Sequence, residues 1–274
     1  MATTLTSIPQ GKVAGSSWSS IRRLSQTVLP PLAFCVLLLC GWEIMARALH
    51  SPLIPRVGPI FEEVFALART GDGWREIWIT LVRIVSGLFF ASAVSLLLGV
   101  LSARNRMMAA FLQPGIVLGL AIPGLVWALL CVIWFGVSWL TPVVALALGV
   151  APALTVQVEQ GIRSIDNSLV EMAEVYRVGR WARIRYLWIP ATTPFLLSGV
   201  RVGFSLAWKI MVLVEIFGMS SGIGYQLNSE FSTQNVAGVL AWTILFGIVM
   251  LVIEYGILQT IEHRLTRWRR TKLA

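Results

Sequence analysis

Three ionisable residues stand in a stretch that is otherwise apolar: Arg201, Lys209 and Glu215, inside the run 195–217. In hydrocarbon such side chains cost several kcal/mol unless they are paired or wet. At about 100° per residue, Arg201, Ser205, Trp208, Lys209, Val212 and Glu215 fall within an arc of about 120°. One helix face is therefore polar and should look into a bundle. Arg201 lies about six residues, roughly 9 Å, from one end of the run and can snorkel. Glu215 is near the other end and is expected to do the same. Lys209 is near the middle and cannot easily escape. It is either half of a structural ion pair or a cation lining a path for an anionic solute.

A second informative stretch runs from Ser164 to Pro190. Ser168 and Glu171 have the S-x-x-E spacing of a capping box, which predicts a helix start there. Leu169, Met172, Ala173 and Tyr176 then follow at i, i+3, i+4 and i+7 and make an apolar face, with Glu171, Glu174 and Arg177 on a polar one. Gly179 can end this helix in the left-handed conformation. A second amphipathic turn places Trp181, Ile184, Leu187 and Trp188 on one side, and Pro190 is expected to stop it. Such an apolar face can fill a groove on a partner or rest on lipid.

Other chemistries find little support. No G-x-x-x-x-G-K-[ST] or H-E-x-x-H occurs, so no P-loop and no zinc-protease site is expected. Gly218-Met219-Ser220-Ser221-Gly222 matches G-x-S-x-G, but it sits in a short loop between apolar runs rather than on a strand-to-helix elbow. Cys35, Cys40 and Cys131 lie inside apolar runs without a C-x-x-C, and His50 and His263 are the only histidines.

The elements that must position these residues are membrane spans. The chain has 274 residues, 57% hydrophobic and only 13% charged, with a mean hydropathy of +0.78. A soluble domain carries about twice that share of charge, so the expected solvent is a bilayer. Disorder, coiled coil and a disulfide-rich secreted fold are excluded by the same composition. A hydrocarbon core of ~30 Å needs about 20 apolar residues per helix. Six spans fit: Leu32–Leu49, Leu81–Ser102, Phe111–Phe135, Pro142–Ile162, Phe195–Phe217 and Val236–Gln259. Pro114 and Pro123 interrupt the third, which can be two half-helices. Fifteen of the 22 Lys and Arg fall on one side when the N-terminus is placed inside, and the opposite loops after spans three and five hold none. This asymmetry places both termini in the cytoplasm. Residues 1–28 read as a Ser/Thr-rich tail, 29–262 as the membrane domain with the loop at about 163–190, and 263–274 as a basic tail suited to lipid headgroups, not nucleic acid. Arg22-Arg23 before the first run resembles a signal sequence, but that run is too long for one and is expected to stay as a helix. Phe61, Val64, Phe65 and Leu67 predict a short surface helix in the loop 51–80, and Arg83 and Glu254 are expected to snorkel from span ends.

With these residues in place, the chain resembles the permease subunits of ABC importers, in the branch serving nitrate, sulfonates and taurine. The loop is similar to their EAA loop: Glu171 and Ala173 match its Glu-x-Ala, and Pro190 its terminal proline. The family's glycine falls on Arg177 and its leucine on Ile189. Trp134-Phe135-Gly136, Pro194, Gly199, Arg201, Glu215 and Gly222-Ile223-Gly224 extend the likeness, which covers about Thr80 to Glu262. It implies an all-α, polytopic membrane fold and an ATPase-coupling role for Ser168, Glu171, Met172, Ala173, Tyr176, Arg177 and Gly179. It also implies a second permease copy, two cytoplasmic ATPases that hold ATP and Mg, and an external solute-binding protein, with no cofactor in this chain. A secondary transporter or channel would instead show inverted repeats, and none is found. A membrane enzyme would need the catalytic groups that the motif search did not find.

Overall fold

The computed structural model describes residues 16–265. The termini expected as tails therefore lie outside the described residues at 1–15 and 266–274. All regular structure among the described residues is helical. The chain divides into two compact units, Met1–Gly58 and Pro59–Ala274.

In the first unit α1 runs over Ser16–Leu49, so it already includes residues 16–28 of the segment expected as a tail. Its apolar part, Leu29–Leu49, is long enough to span a bilayer. Phe34 and Leu37 are among the many side chains it exposes, as a lipid-facing helix would. The chain after α1 folds back on its end: the Trp42 indole donates to the Pro55 carbonyl at 2.9 Å, and the Val57 N–H to Glu43 at 3.0 Å.

The second unit is built around α6 (Leu140–Arg163), which packs between α3 (Gly71–Arg104) and α9 (Ile189–Gly218). Lipid tails are as apolar as leucine, so helices associate in a bilayer through close packing and hydrogen bonds. The sequence of α3 supplies the close packing with small residues every fourth position, Gly87, Ala91, Ser95 and Gly99, all buried. A Cβ on Gly87 would lie 2.7 Å from a Leu146 methyl, and one on Gly99 would lie 2.6 Å from Val158. The hydroxyl of Ser95 meets the Ala151 carbonyl of α6 at 3.0 Å. Gly199 and Gly203 of α9 press on Leu154 and Gln157 of the same α6. Their G-x-x-x-G spacing thus serves packing inside one subunit.

Several spans differ from the expected ones. Helix α3 starts ten residues before Leu81 and reaches about 51 Å at 1.5 Å per residue. The third span is broken. Asn105 caps α4 (Arg106–Ala121), and α5 (Gly124–Phe135) leaves it at 99°. Pro123 causes the break: it lacks an N–H and pushes Ile122 out of the helical region, to ψ 123°. The predicted surface helix is α2 (Val57–Arg69), which buries Ile60 and Val64 and leaves Phe61 and Phe65 exposed.

The loop after α6 carries α7 (Asn167–Val175). Next comes α8 (Arg180–Arg183), which does not stop at Pro190. It widens into a π-helical turn over Ile184–Trp188 and continues as α9. The wide turn closes from the Ile189 N–H to the Ile184 carbonyl, and Pro190 follows at the start of the next helix, where its missing donor costs little. Helix α10 (Ile223–Ser232) leaves α9 at 52°. The chain ends in α11 (Val236–Leu251), a π turn over Val252–Leu258, and α12 (Gln259–Leu265). Among the described residues, four helices are long and apolar enough to cross a membrane, and six spans result when each bent pair counts as one.

Candidate functional site

The loop helix α7 is capped, but not by Ser168. Asp166 is its N-cap, and its carboxylate accepts the Ser168 N–H at 2.9 Å. The expected capping box does not form because Asp166 stands two residues earlier, where an acidic cap also meets the positive end of the helix. Hydrogen bonding from the Ser168 N–H and hydroxyl holds the Asp166 carboxyl below the usual carboxylate range.

The other end of α7 also differs. Gly179 has φ −60° and opens α8, while the left-handed residue is Arg177, at φ 51°. The Val178 N–H reaches the Ala173 carbonyl and the Arg177 N–H that of Glu174, both at 2.9 Å, which closes a Schellman motif. Arg177 thus takes, at the position where the resemblance has glycine, the left-handed shape that favours glycine. Arg183 braces the turn, donating to the Val178 carbonyl at 3.0 Å and to Glu174 at 3.2 Å. Ala173 is turned inward and buried. Leu169, Met172 and Tyr176 share an open apolar stripe at i, i+3 and i+7. Tyr176 is 77% exposed, neighbouring Val175 79% and Trp181 84%. Glu171 is exposed and forms no ion pair among the described residues.

The polar face of α9 does not act as one surface. Arg201 lies 3.7 Å from Glu254 in the π turn after α11 and faces the Tyr255 ring at 5.8 Å. Trp208 stacks edge-on against Phe246 of α11, with centroids 5.9 Å apart. Ser205 is half-buried between them in sequence. Lys209 is exposed, its ammonium 5.6 Å from the Trp208 ring, and it forms no ion pair among the described residues.

Glu215 does not snorkel. It is fully buried, on the α3 side of α9. Arg83 donates to it at 2.7 Å, Thr80 at 2.9 Å, and the Gly224 N–H at 3.0 Å. Arg83 also donates to the Ser221 carbonyl at 2.7 Å and to its hydroxyl at 2.8 Å. The Ile223 N–H donates to Thr80, and the Gly222 N–H to Glu76 at 2.5 Å. Glu76, Thr80 and Arg83 stand at i, i+4 and i+7 on α3, so one helix face holds the whole α9–α10 turn. Gly222 has φ 99°, and a Cβ there would collide with the Glu215 carboxylate, so the turn needs glycine. The G-x-S-x-G match is this turn. Glu76 and Thr80 were not singled out by sequence, and Arg83 was expected to snorkel. Their i, i+4, i+7 spacing was the available signal, but it gained meaning only once the helix reached back to Gly71. Glu254, also expected to snorkel, instead lies beside Arg201.

Bilayer-length helices packed around α6, with a capped amphipathic helix on the loop between two of them, define a polytopic membrane protein. The chain belongs to the family of binding-protein-dependent transport system inner membrane components, whose model matches residues 95–267. It is a permease subunit of an ABC importer. It is 26% identical over 251 residues to the taurine transport system permease protein TauC of Escherichia coli, covering 89% of this chain and 90% of that one. A Bacillus subtilis protein that carries the name of an aliphatic sulfonates transport permease, SsuC, is 26% identical over 232 residues, 84% of each chain. In fold, the chain is similar to one from a crystallised bacterial ABC transporter involved in the import of the acidic polysaccharide alginate. The TM-score is 0.63 at 18% identity, covering 91% of this chain and 96% of that one.

Two outcomes follow from the geometry. Arg83→Leu should strand the buried Glu215 charge and destabilise the extracted protein by about 3–5 kcal/mol, and Arg83→Leu with Glu215→Leu should recover much of that loss in a thermal melt. Asp166→Ala should speed hydrogen exchange at the amides of Ser168 to Val170 at neutral pH. Because the folded carboxyl titrates lower than the unfolded one, native protection should be complete above about pH 4 and lost as pH falls through the folded value.

Proposed function

We propose that the chain carries a small organic or inorganic anion, such as a sulfonate, taurine or nitrate, as one half of a symmetric pair. In this reading α7 faces the cytoplasm and seats on a separate ATPase, one for each permease copy. ATP and Mg belong to that partner. Both chain termini are cytoplasmic, and the α9–α10 turn faces outward, toward a periplasmic binding protein. The observation that carries the coupling role is the open stripe Leu169–Met172–Tyr176 on a helix fixed at both ends, by Asp166 and by the Arg177 turn with Arg183. A helix held this way transmits a push instead of absorbing it, and its exposed apolar area suits a groove on a folded partner. Glu171 stands mid-helix on the exposed polar side of the same helix.

The anionic solute is supported by the likeness to permeases named for aliphatic sulfonate and taurine transport and by Lys209. That cation is exposed on a span, over an indole and, among the described residues, without a carboxylate partner. Of the residues expected to line that path with it, Trp208 adjoins Lys209, while Arg201 is engaged by Glu254 and Tyr255 and Ser205 is half-buried. Glu215 serves the path only by fixing the outer end of α9.

Met172→Asp should leave the permease in the membrane yet cut both ATPase co-purification and uptake about tenfold or more, since a charge would enter an apolar contact. Normal co-purification and uptake would reject the docking role. Lys209→Met should assemble in normal yield and lower uptake of an anionic sulfonate by about tenfold or more, in line with the loss of a contact to a charged group. Low yield in place of low uptake would make Lys209 one half of an ion pair with the second copy.

A further inference from the structure

One buried side-chain polar atom among the described residues has no hydrogen-bond partner: the indole Nε1 of Trp127. Buried donors are almost always satisfied, and an orphan forfeits its hydration without return. An orphan in a conformationally active protein is explained when the missing partner arrives in another state.

The surroundings say what kind of partner that is. Trp127 lies in the first turn of α5, just past the 99° break at Pro123. Long helical side chains lean toward the N-terminus of their helix, so the indole leans toward the break. Its Cδ1, bonded directly to the orphan nitrogen, faces Gly149 of α6, 3.7 Å from where a Cβ would stand. Ile210 of α9 fills the rest of that space, 2.5 Å from the same point, and it also packs on Gly124 at the start of α5. The orphan N–H is therefore at the meeting point of α5, α6 and α9, and the residue before Ile210 on α9 is Lys209, itself exposed. No side chain caps the start of α5, so the positive end of that half-helix lies on the same turn. The helix end and the Lys209 ammonium one residue along α9 are both positive. An indole N–H donates and cannot accept, so the missing partner is an acceptor.

We propose that the Trp127 N–H donates a hydrogen bond to the oxyanion group of the transported solute when the path rearranges around it. Trp127 then sets specificity: Lys209 supplies charge and the indole supplies direction, favouring solutes with a free, strongly accepting oxygen. This rests on the anion reading given above. No covalent step is involved.

The test uses the complete transporter, permease with its ATPase, in proteoliposomes with saturating loaded binding protein, and measures uptake of taurine and ethanesulfonate per ATP hydrolysed. Trp127→Phe keeps an aromatic ring and removes the donor. Trp127→His returns a ring N–H. The expected result is normal complex yield for both variants, uptake per ATP down about tenfold for Trp127→Phe, and partial recovery for Trp127→His. Undiminished uptake in Trp127→Phe would overturn the proposal. So would a loss of yield with the uptake ratio unchanged, which would assign the N–H to a protein carbonyl such as that of Leu148, freed from its helical partner because Pro152 has no N–H. Lys209→Met separates the two readings. If it lowers uptake while Trp127→Phe does not, the anion path stands and the indole has no part in it. If the unaltered complex carries neither probe, the anion reading fails and this inference fails with it.

Discussion

A carboxylate with no exposed surface, inside a bundle that offers little else but apolar side chains, persists only if donors converge on it. Glu215 has three: the Arg83 guanidinium, the Thr80 hydroxyl and the Gly224 N–H. Each comes with an obligation. Arg83 must reach from the N-terminal half of α3, Thr80 must sit one turn before it, and the chain after α9 must turn back so that the Gly224 amide points at α9. The direction of the 52° bend into α10 follows from these constraints. Glu76 and the Ser221 oxygens complete the set, so side chains of α3 hold the Ser221 carbonyl and the N–H groups of Gly222 and Ile223. A buried pair of this kind adds little to net stability compared with an apolar replacement, yet breaking it on one side is costly. Its contribution is to specify one geometry.

Below that cluster the bundle relies on close approach. The small residues of α3 let α6 come near enough for Leu146 and Val158 to fill the space a side chain would have used. The Ser95 hydroxyl adds a hydrogen bond to the Ala151 carbonyl of α6, next to Pro152, where the α6 ladder lacks a donor. With α9 on its other side, α6 becomes the axis to which two irregular elements are attached: the broken pair α4–α5 and the continuous rod from α8 into α9. The π-helical turn in that rod keeps α8 and α9 joined across Pro190. Displacement of the loop helix therefore has a covalent, helical route into the span that carries Lys209.

The loop helix itself shows how one conformation can be reached by an unfavourable residue. Left-handed backbone costs a non-glycine residue roughly 1–2 kcal/mol. At Arg177 this is offset by two backbone hydrogen bonds of the Schellman turn and by Arg183, which binds both the carbonyl of Val178 and the carboxylate of Glu174. The result is a short helix with fixed ends and an uncovered stripe.

Hydropathy and helical period are local properties, and whatever depends on them was legible in the residues. The spans, the asymmetry of Lys and Arg, the interruption at Pro123 and the amphipathic helix between spans four and five all belong to that class, as did the likeness to importer permeases. The details that went astray depended on choices between near-equivalent neighbours. Asp166 and Ser168 are both good caps two residues apart, and Arg177 and Gly179 both stood within reach of the helix end. Register decided between them, and register is set by where the loop is tied to α6 and α8. The partner of Glu215 was beyond any local pattern, since Arg83 is 132 positions away. Each looked like a charge near a span end that could reach water. Only the packing of α9 against α3 closed that escape for both and left them each other.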